Sequence, residues 1–208
     1  MNMMKPLTGL FLCALVGGAY ALNSLPDDPP SKSIKLTPTI WSKGHKAKKT
    51  ETATFAGGCF WGIENGFRKT PGVLATAVGY TGGVVPFPTY KQVCSKTTGH
   101  TEAVRLTFDP SVISYEKLTE KFFTMINPTQ LNFQGPDYGT NYRSGIYYHS
   151  DAQRKTAQAI LTRLNTASKH KGRVVTELLA APTFYMAEDY HQQFDEKRGI
   201  ESCPTPDP

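Results

Sequence analysis

The stretch Thr52-Ala53-Thr54-Phe55-Ala56-Gly57-Gly58-Cys59-Phe60-Trp61-Gly62 decides how the chain is read. Its first five residues form a short apolar run with β-branched threonines, the composition of a buried strand. Gly57 and Gly58 let the backbone turn sharply out of that strand and leave no side chain to cover the next residue. Ile63 and Phe67 then recur at helical spacing, and Pro71-Gly72 closes the segment. A strand running through two glycines into a helix opens a strand–helix–strand unit and sets Cys59 at the helix N-terminus. Unpaired amides and the positive end of the helix dipole favour a thiolate there, the nucleophilic form of cysteine. Phe60 and Trp61 place two large rings beside the sulfur, a shelf suited to a small apolar substrate group. A lone Gly-Gly-Cys would read as a buried helix-start cysteine among core rings; the six-residue string Gly57–Gly62 favours the chemical reading.

Outward from this unit the chain alternates. Val73–Tyr80 reads as a second strand, closed by Gly82-Gly83, and Glu102–Phe108 as a third, with Ala103, Val104, Leu106 and Phe108 supplying the core and Asp109-Pro110 ending it. Ser114 is placed to cap a helix whose face is Leu118, Phe122, Met125 and Ile126. Ile146–His149 reads as a strand, and Ser150 caps a long helix with Ala157, Ile160, Leu161 and Leu164 on one face. Val174–Leu179 is a further strand and Glu188–Phe194 a last short helix. The fold class expected is α+β: a two-layer α/β sandwich of the ferredoxin-like plait type, with a mixed sheet and a largely irregular C-terminal tail.

Composition narrows the function. The 208 residues carry a formal net charge of +6, but Lys32, Lys35, Lys43, Lys46, Lys48 and Lys49 crowd one short stretch, and residues 51–208 are close to neutral. No Gly-rich phosphate loop or basic helical face is present, so nucleotide and nucleic-acid binding find no support. Lys5 precedes an apolar run, Leu7–Ala21, ending in Ala19-Tyr20-Ala21, the pattern of a cleaved secretory signal. Residues 22–50 hold Pro26, Pro29, Pro30 and Pro38 among lysines and hydroxyl residues without a helical or strand period, and are expected to be a flexible linker. The domain then runs over 51–196 and a C-terminal tail over 197–208. An exported protein, periplasmic or secreted, is expected, with no stable membrane insertion once the signal is removed. Beyond the signal only Cys59, Cys94 and Cys203 remain, an odd count that hints at a free or shuttling thiol rather than a disulfide framework.

The string around Cys59 resembles peptide-methionine sulfoxide reductases of the A class. The likeness continues through Pro71-Gly72-Val73, Gly79–Gly83, Pro88-Thr89-Tyr90, Val93-Cys94, Thr98–Val104, Phe108-Asp109-Pro110, Asp137–Ser144 and Ala187–Gln193, in order, over about residues 52–195. The resemblance implies reduction of methionine-S-sulfoxide, free and protein-bound. By the same resemblance Cys59 is the nucleophile, and Phe60 and Trp61 receive the substrate methyl group. Glu102, Tyr90 and Tyr142 hold the sulfoxide oxygen, Asp137 hydrogen-bonds nearby, and Cys203 is the resolving thiol. The cycle it implies uses no bound cofactor or metal. It needs an external dithiol, thioredoxin or a thioredoxin-like protein, and a monomer suffices.

The chemistry can be argued beside the resemblance. A sulfoxide oxygen carries partial negative charge and leaves only after gaining protons, so a protonated carboxyl and two phenols suit it. Glu102 is therefore expected to have a raised pKa from desolvation among rings. Each residue alone has a plainer reading: Glu102 as a solvent-facing strand residue, Tyr90 and Tyr142 as packing tyrosines, Asp137 as a turn residue after Gly135-Pro136. His100, His149 and His191 lack close metal-ligand spacing, and ordinary hydrogen-bonding histidines are expected, with His191 bracing the site. Many relatives carry two cysteines in a Gly-rich tail. Here Ile200-Glu201-Ser202-Cys203-Pro204 has one, which implies direct Cys59–Cys203 pairing, with Cys94 an inert packed thiol. Two other readings stand beside the reductase: an impaired family member that only binds sulfoxide, and a thiol hydrolase pairing Cys59 with a histidine.

Overall fold

β-branched and aromatic runs of the lengths seen in the sequence become strands because both faces of the sheet are covered. The structure is a computed structural model that describes residues 34–167 and 172–200; the signal run 7–21 and Cys203 lie outside them. In chain order the elements are β1 (Thr37–Pro38), β2 (Glu51–Ala56), α1 (Phe60–Arg68), β3 (Val73–Thr81), α2 (Tyr90–Cys94), β4 (Thr101–Phe108), α3 (Tyr115–Phe123), β5 (Phe133–Gln134), β6 (Asp137–Tyr138), β7 (Gly145–Tyr148), α4 (Asp151–Thr166), β8 (Glu177–Ala180), β9 (Phe184–Met186) and α5 (Phe194–Lys197). Single 3-10 turns sit at Ile40–Ser42, Thr140–Tyr142 and Asp189–His191.

The main sheet runs β1-β3-β4-β2-β7-β8, with β9 also paired to β3. Every pairing is antiparallel except β7 with β8, so the sheet is mixed. Its centre, β7-β2-β4-β3, with α1 between β2 and β3 and α3 between β4 and β7, is the plait expected from the sequence. Ser114 and Ser150 cap α3 and α4, each side chain accepting an amide three residues on.

The helical face holds the main core, where Phe55 stacks on Phe67 and Phe122 with ring centroids 5.2 and 5.0 Å apart. Leu118, Ile160 and Leu161 close over it. Truncating one of these rings to alanine would cost about 3–5 kcal/mol. A smaller cluster of Ala56, Ala77, Ala103, Tyr147, Phe184 and Met186 covers the other face, and the Arg105 guanidinium lies 4.5 Å from the Phe184 ring centroid.

Two features differ from the reading of the sequence. The lysine-rich stretch expected to be a flexible linker is docked from Thr37 onward: β1 pairs with β3, Thr37 opposite Thr76. The Arg68 guanidinium donates to the carbonyls of Thr37 and Pro38 at 3.1 and 3.0 Å. A two-residue edge strand is too short to show alternation and tolerates proline, so composition hid it. The helix expected over Glu188–Phe194 is instead a 3-10 turn and α5, parted by Gln193 at φ +52°. Past α5 the described residues 198–200 are irregular, as expected of the tail, and the Ile200 carbonyl accepts the Asn65 side-chain N–H at 3.1 Å.

Candidate active site

The site starts at the turn out of β2. Gly58 stands at φ +84°, and a Cβ there would lie 2.8 Å from the Cβ of Gln134, so glycine is required on both counts. Its N–H donates to the Tyr142 carbonyl at 3.1 Å. Gln134 is itself fixed by two bonds to the Asn127 backbone, at 2.9 and 2.8 Å. Cys59 is the N-cap residue of α1, at φ −59° and ψ 121°, and is half-buried. The sulfur is thus presented at the positive end of the helix, as the sequence implied.

Two successive amides at this helix start are taken by carboxyl groups. The Cys59 N–H donates to Asp137 on β6, whose carboxyl burial pushes above the usual range while that bond opposes the shift. The Phe60 N–H donates to Glu102 Oε2 at 3.1 Å. Glu102 is 1% exposed, which rules out the solvent-facing reading of this strand residue. It lies opposite Tyr80 in the β3–β4 register. Beside it, Thr101 Oγ1 donates to the Asn141 carbonyl at 3.0 Å, which fastens the 3-10 turn that ends in the buried Tyr142.

The aromatic shelf has a buried floor and a half-buried wall. Phe60 is buried, with its ring 6.0 Å from Tyr80, 6.2 Å from Trp61 and 5.1 Å from His191. Trp61 is half-buried. Its indole N–H donates to His191 Nδ1 at 3.0 Å, and its face stacks on Phe194 at 3.6 Å with a 4° interplanar angle.

His191 is fully buried, and burial drives its pKa down to about 3, so the ring is neutral. With Nδ1 accepting from Trp61, the ring proton sits on Nε2, which lies 3.9 Å from Glu188 Oε2. Glu188 binds two site tyrosines: Oε2 accepts the Tyr80 hydroxyl at 2.7 Å, and Oε1 accepts the Tyr90 N–H at 2.8 Å. A capping box between Thr89 and Gln92 starts α2 at Tyr90, and the Tyr90 ring lies 4.5 Å from His191.

Six of the residues singled out in the sequence, Cys59, Phe60, Trp61, Glu102, Asp137 and Tyr142, are therefore joined directly around one helix start. Tyr90 joins them through Glu188 and His191. Cys203 lies outside the described residues, and Cys94 ends α2, half-buried. The other two histidines singled out in the sequence serve elsewhere: His100 holds the loop after β3 through Gly83 N and Val85 O, and His149 meets Thr54 at 2.9 Å. No cluster suited to a metal ion occurs among the described residues, and none of their helices is long and apolar enough to cross a membrane. Sequence reasoning missed Glu188 and Phe194 as parts of the site. The run Ala187–Gln193 carried the signal, but no spacing rule says which of its residues turn inward.

Comparison with known proteins agrees with this geometry. Residues 51–206 match the family model described as peptide methionine sulfoxide reductase. The peptide methionine sulfoxide reductase MsrA of Geobacter sulfurreducens is 52% identical over 153 residues, 74% of this chain and 94% of that protein. The reduced form of Mxr1 from Saccharomyces cerevisiae superposes with a TM-score of 0.70 at 35% identity, over 78% of this chain and 94% of that one. The same yeast protein in complex with Trx2 gives 0.52 at 26% identity, over 79% and 95%. Matched by that family model over most of its length and about half identical to such relatives, the chain belongs to the peptide methionine sulfoxide reductase family and is an oxidoreductase of its A class.

Proposed function

We propose that the chain reduces the S epimer of methionine sulfoxide, free and within oxidised proteins, by a covalent cysteine cycle. The observation that carries this reading is the bond from Phe60 N–H to Glu102: it holds a buried carboxyl one residue from the thiol, where a leaving oxygen must be protonated. The substrate methyl group lies against Trp61 with Phe60 behind it. The sulfoxide oxygen faces Glu102 and the hydroxyls of Tyr90 and Tyr142. Glu102, buried with one oxygen on the Phe60 amide, is the group placed to deliver the proton. Asp137 holds the Cys59 amide and with it the start of the helix.

Cys59 thiolate attacks the sulfoxide sulfur as Glu102 delivers a proton to the oxygen. The substrate's sulfur–oxygen bond and the new sulfur–sulfur bond then break as the protonated oxygen passes to the Cys59 sulfur; methionine leaves with the electron pair of the sulfur–sulfur bond, and Cys59 is left as a sulfenic acid. The Cys203 thiol then attacks that sulfur, forming the Cys59–Cys203 disulfide and releasing water. An external dithiol reduces the disulfide by exchange; the yeast relative's complex with Trx2 supports a thioredoxin-like donor. Export through the apolar run at 7–21 would place this donor in an oxidising compartment. The thiol-hydrolase reading loses its base, because the buried His191 spends Nδ1 on Trp61. Turnover of the separated S and R epimers with a dithiol tests the assignment: consumption of S alone is expected, and equal rates would reject it.

A further inference from the structure

The loop that leads into Tyr90 exposes apolar side chains without being loose. From Thr81 to Tyr90 the chain carries no charged residue, and Val84-Val85-Pro86-Phe87 are apolar in succession. Val84 is 88% and Phe87 49% exposed, and Pro86 is exposed with them. Such a run is avoided on a surface that binds nothing. The backbone is nevertheless pinned. Val84 N–H donates to the Thr98 carbonyl at 3.0 Å. The buried His100 accepts the Gly83 N–H on Nδ1 at 3.1 Å and, with its proton on Nε2, donates to the Val85 carbonyl at 2.7 Å. Phe87 itself stands at φ +48°, a left-handed conformation disfavoured for a bulky residue. Strain of this kind persists only where the surroundings fix it, and it collects at sites that hold ligands.

Phe87 continues the aromatic floor of the site. Its ring meets Tyr185 edge-on at 5.3 Å. Tyr185 lies opposite Tyr80 in the β3–β9 register, so the two side chains stand on one face of the sheet, and the Tyr80 ring lies 6.0 Å from Phe60. Exposure rises in step: Phe60 and Tyr80 are buried, Tyr185 is half-buried and Phe87 is half exposed. The strip runs from the residue after Cys59 out to the surface, and about four or five residues of extended chain would cover its length.

We infer that Phe87 and Val84 form a subsite for the polypeptide that carries the sulfoxide, taking an apolar side chain a few residues from the oxidised methionine. This rests on the proposed reduction and names the part of a protein substrate that free methionine sulfoxide lacks. Three features commit the strip to this occupant. It is continuous with the pocket that receives the oxidised side chain. It carries no charge, so recognition comes from apolar area alone. Methionine is also among the residue types most often buried in cores, where strand and helix periods set further apolar residues two to four positions away.

The test compares three substrates on the full chain with a dithiol: free methionine-S-sulfoxide, a capped peptide with the S-sulfoxide among serines, and the same peptide with leucines two and four residues to either side. The parent should favour the leucine peptide through KM. Phe87→Asn removes the ring and keeps a residue that tolerates positive φ, and Val84→Ser removes the second apolar group. Each should lower the ratio of kcat/KM on the leucine peptide to kcat/KM on the free substrate by about five- to tenfold, chiefly through KM. No preference for leucine in the parent, or an unchanged ratio in both variants, would overturn the inference. So would an equal fall on all three substrates, which would make the loop only a support for Tyr90. Slower recycling by thioredoxin with the ratio unchanged would also overturn it and assign the loop to the reductant. If the parent consumes no free methionine-S-sulfoxide, the reductase reading itself fails, a result distinct from these.

Discussion

The carboxyl of Glu102, on the central strand β4, accepts the backbone N–H of Phe60 at 3.1 Å. One bond therefore joins the middle of the sheet to the residue after Cys59, and in the proposed mechanism the carboxyl has two duties: it receives an orphan amide of the helix start, and it is the proton donor. Glu102→Gln keeps an oxygen for the amide but loses the acid. Its kcat/KM should fall by about 10²–10⁴ with little change in unfolding midpoint. Glu102→Ala should show the same loss of rate and lose about 1 kcal/mol of stability as well. Steady-state kinetics and urea melts on the pair separate the two duties.

Trp61 is held from the side by His191 and from its face by Phe194. His191→Leu removes the acceptor for the indole N–H and leaves Trp61, the wall of the proposed methyl pocket, held only by its stack on Phe194. A loss of kcat/KM of about ten- to hundredfold is expected, since misplacement by about an ångström is costly. Cys59 should keep its rate with a small thiol reagent, measured on the same samples.

The same histidine gives the fold a pH dependence with a definite sign. His191 has a folded pKa of about 3 through burial, whereas an unfolded histidine titrates near about 6.5. Below that value the unfolded chain binds a proton that the folded chain refuses. The stability is therefore full above about pH 6.5 and is lost progressively as pH falls toward about 3. Between about pH 7 and 4.5 the parent should lose about 2–3 kcal/mol more than His191→Leu. Urea midpoints at the two pH values, compared as a difference between the proteins, isolate this residue from the carboxylates.

Gly58→Ala meets two penalties at once, a left-handed φ of +84° and a Cβ 2.8 Å from that of Gln134. About 1–3 kcal/mol of stability should be lost. Because the strained turn carries Cys59, activity should fall by more than about tenfold, even where the protein remains folded by circular dichroism.

Legibility in the sequence divides along physical lines. Long elements with strong periods, such as α3 and α4 with their serine caps, come from local rules, and so does the helix-start setting of Cys59. Glu102 shows how the pattern misleads when read alone. It shares a face with Val104, Leu106 and Phe108 by strict alternation, which points inward, yet its charge invites a place in solvent. Only the central place of β4 between β2 and β3, with the main core over one face and the smaller Phe184–Met186 cluster over the other, settles the conflict. The linkage of Glu188 to Tyr80 and Tyr90 joins residues far apart in the sequence and has no local signature. β1 and β9 are too short to carry a period, and α2 announces itself only through Thr89 and Gln92, spaced as a capping box.

The central claim is that oxygen passes from substrate sulfur to Cys59. Its most direct test is a single turnover of Cys203→Ser with methionine-S-sulfoxide, no reductant, and a sulfenic-acid trapping reagent followed by peptide mass mapping. One methionine released per chain, with the trapped adduct on Cys59 and none on Cys94, is the expected result. Methionine release from the Cys59→Ser protein at the parent rate would contradict the account.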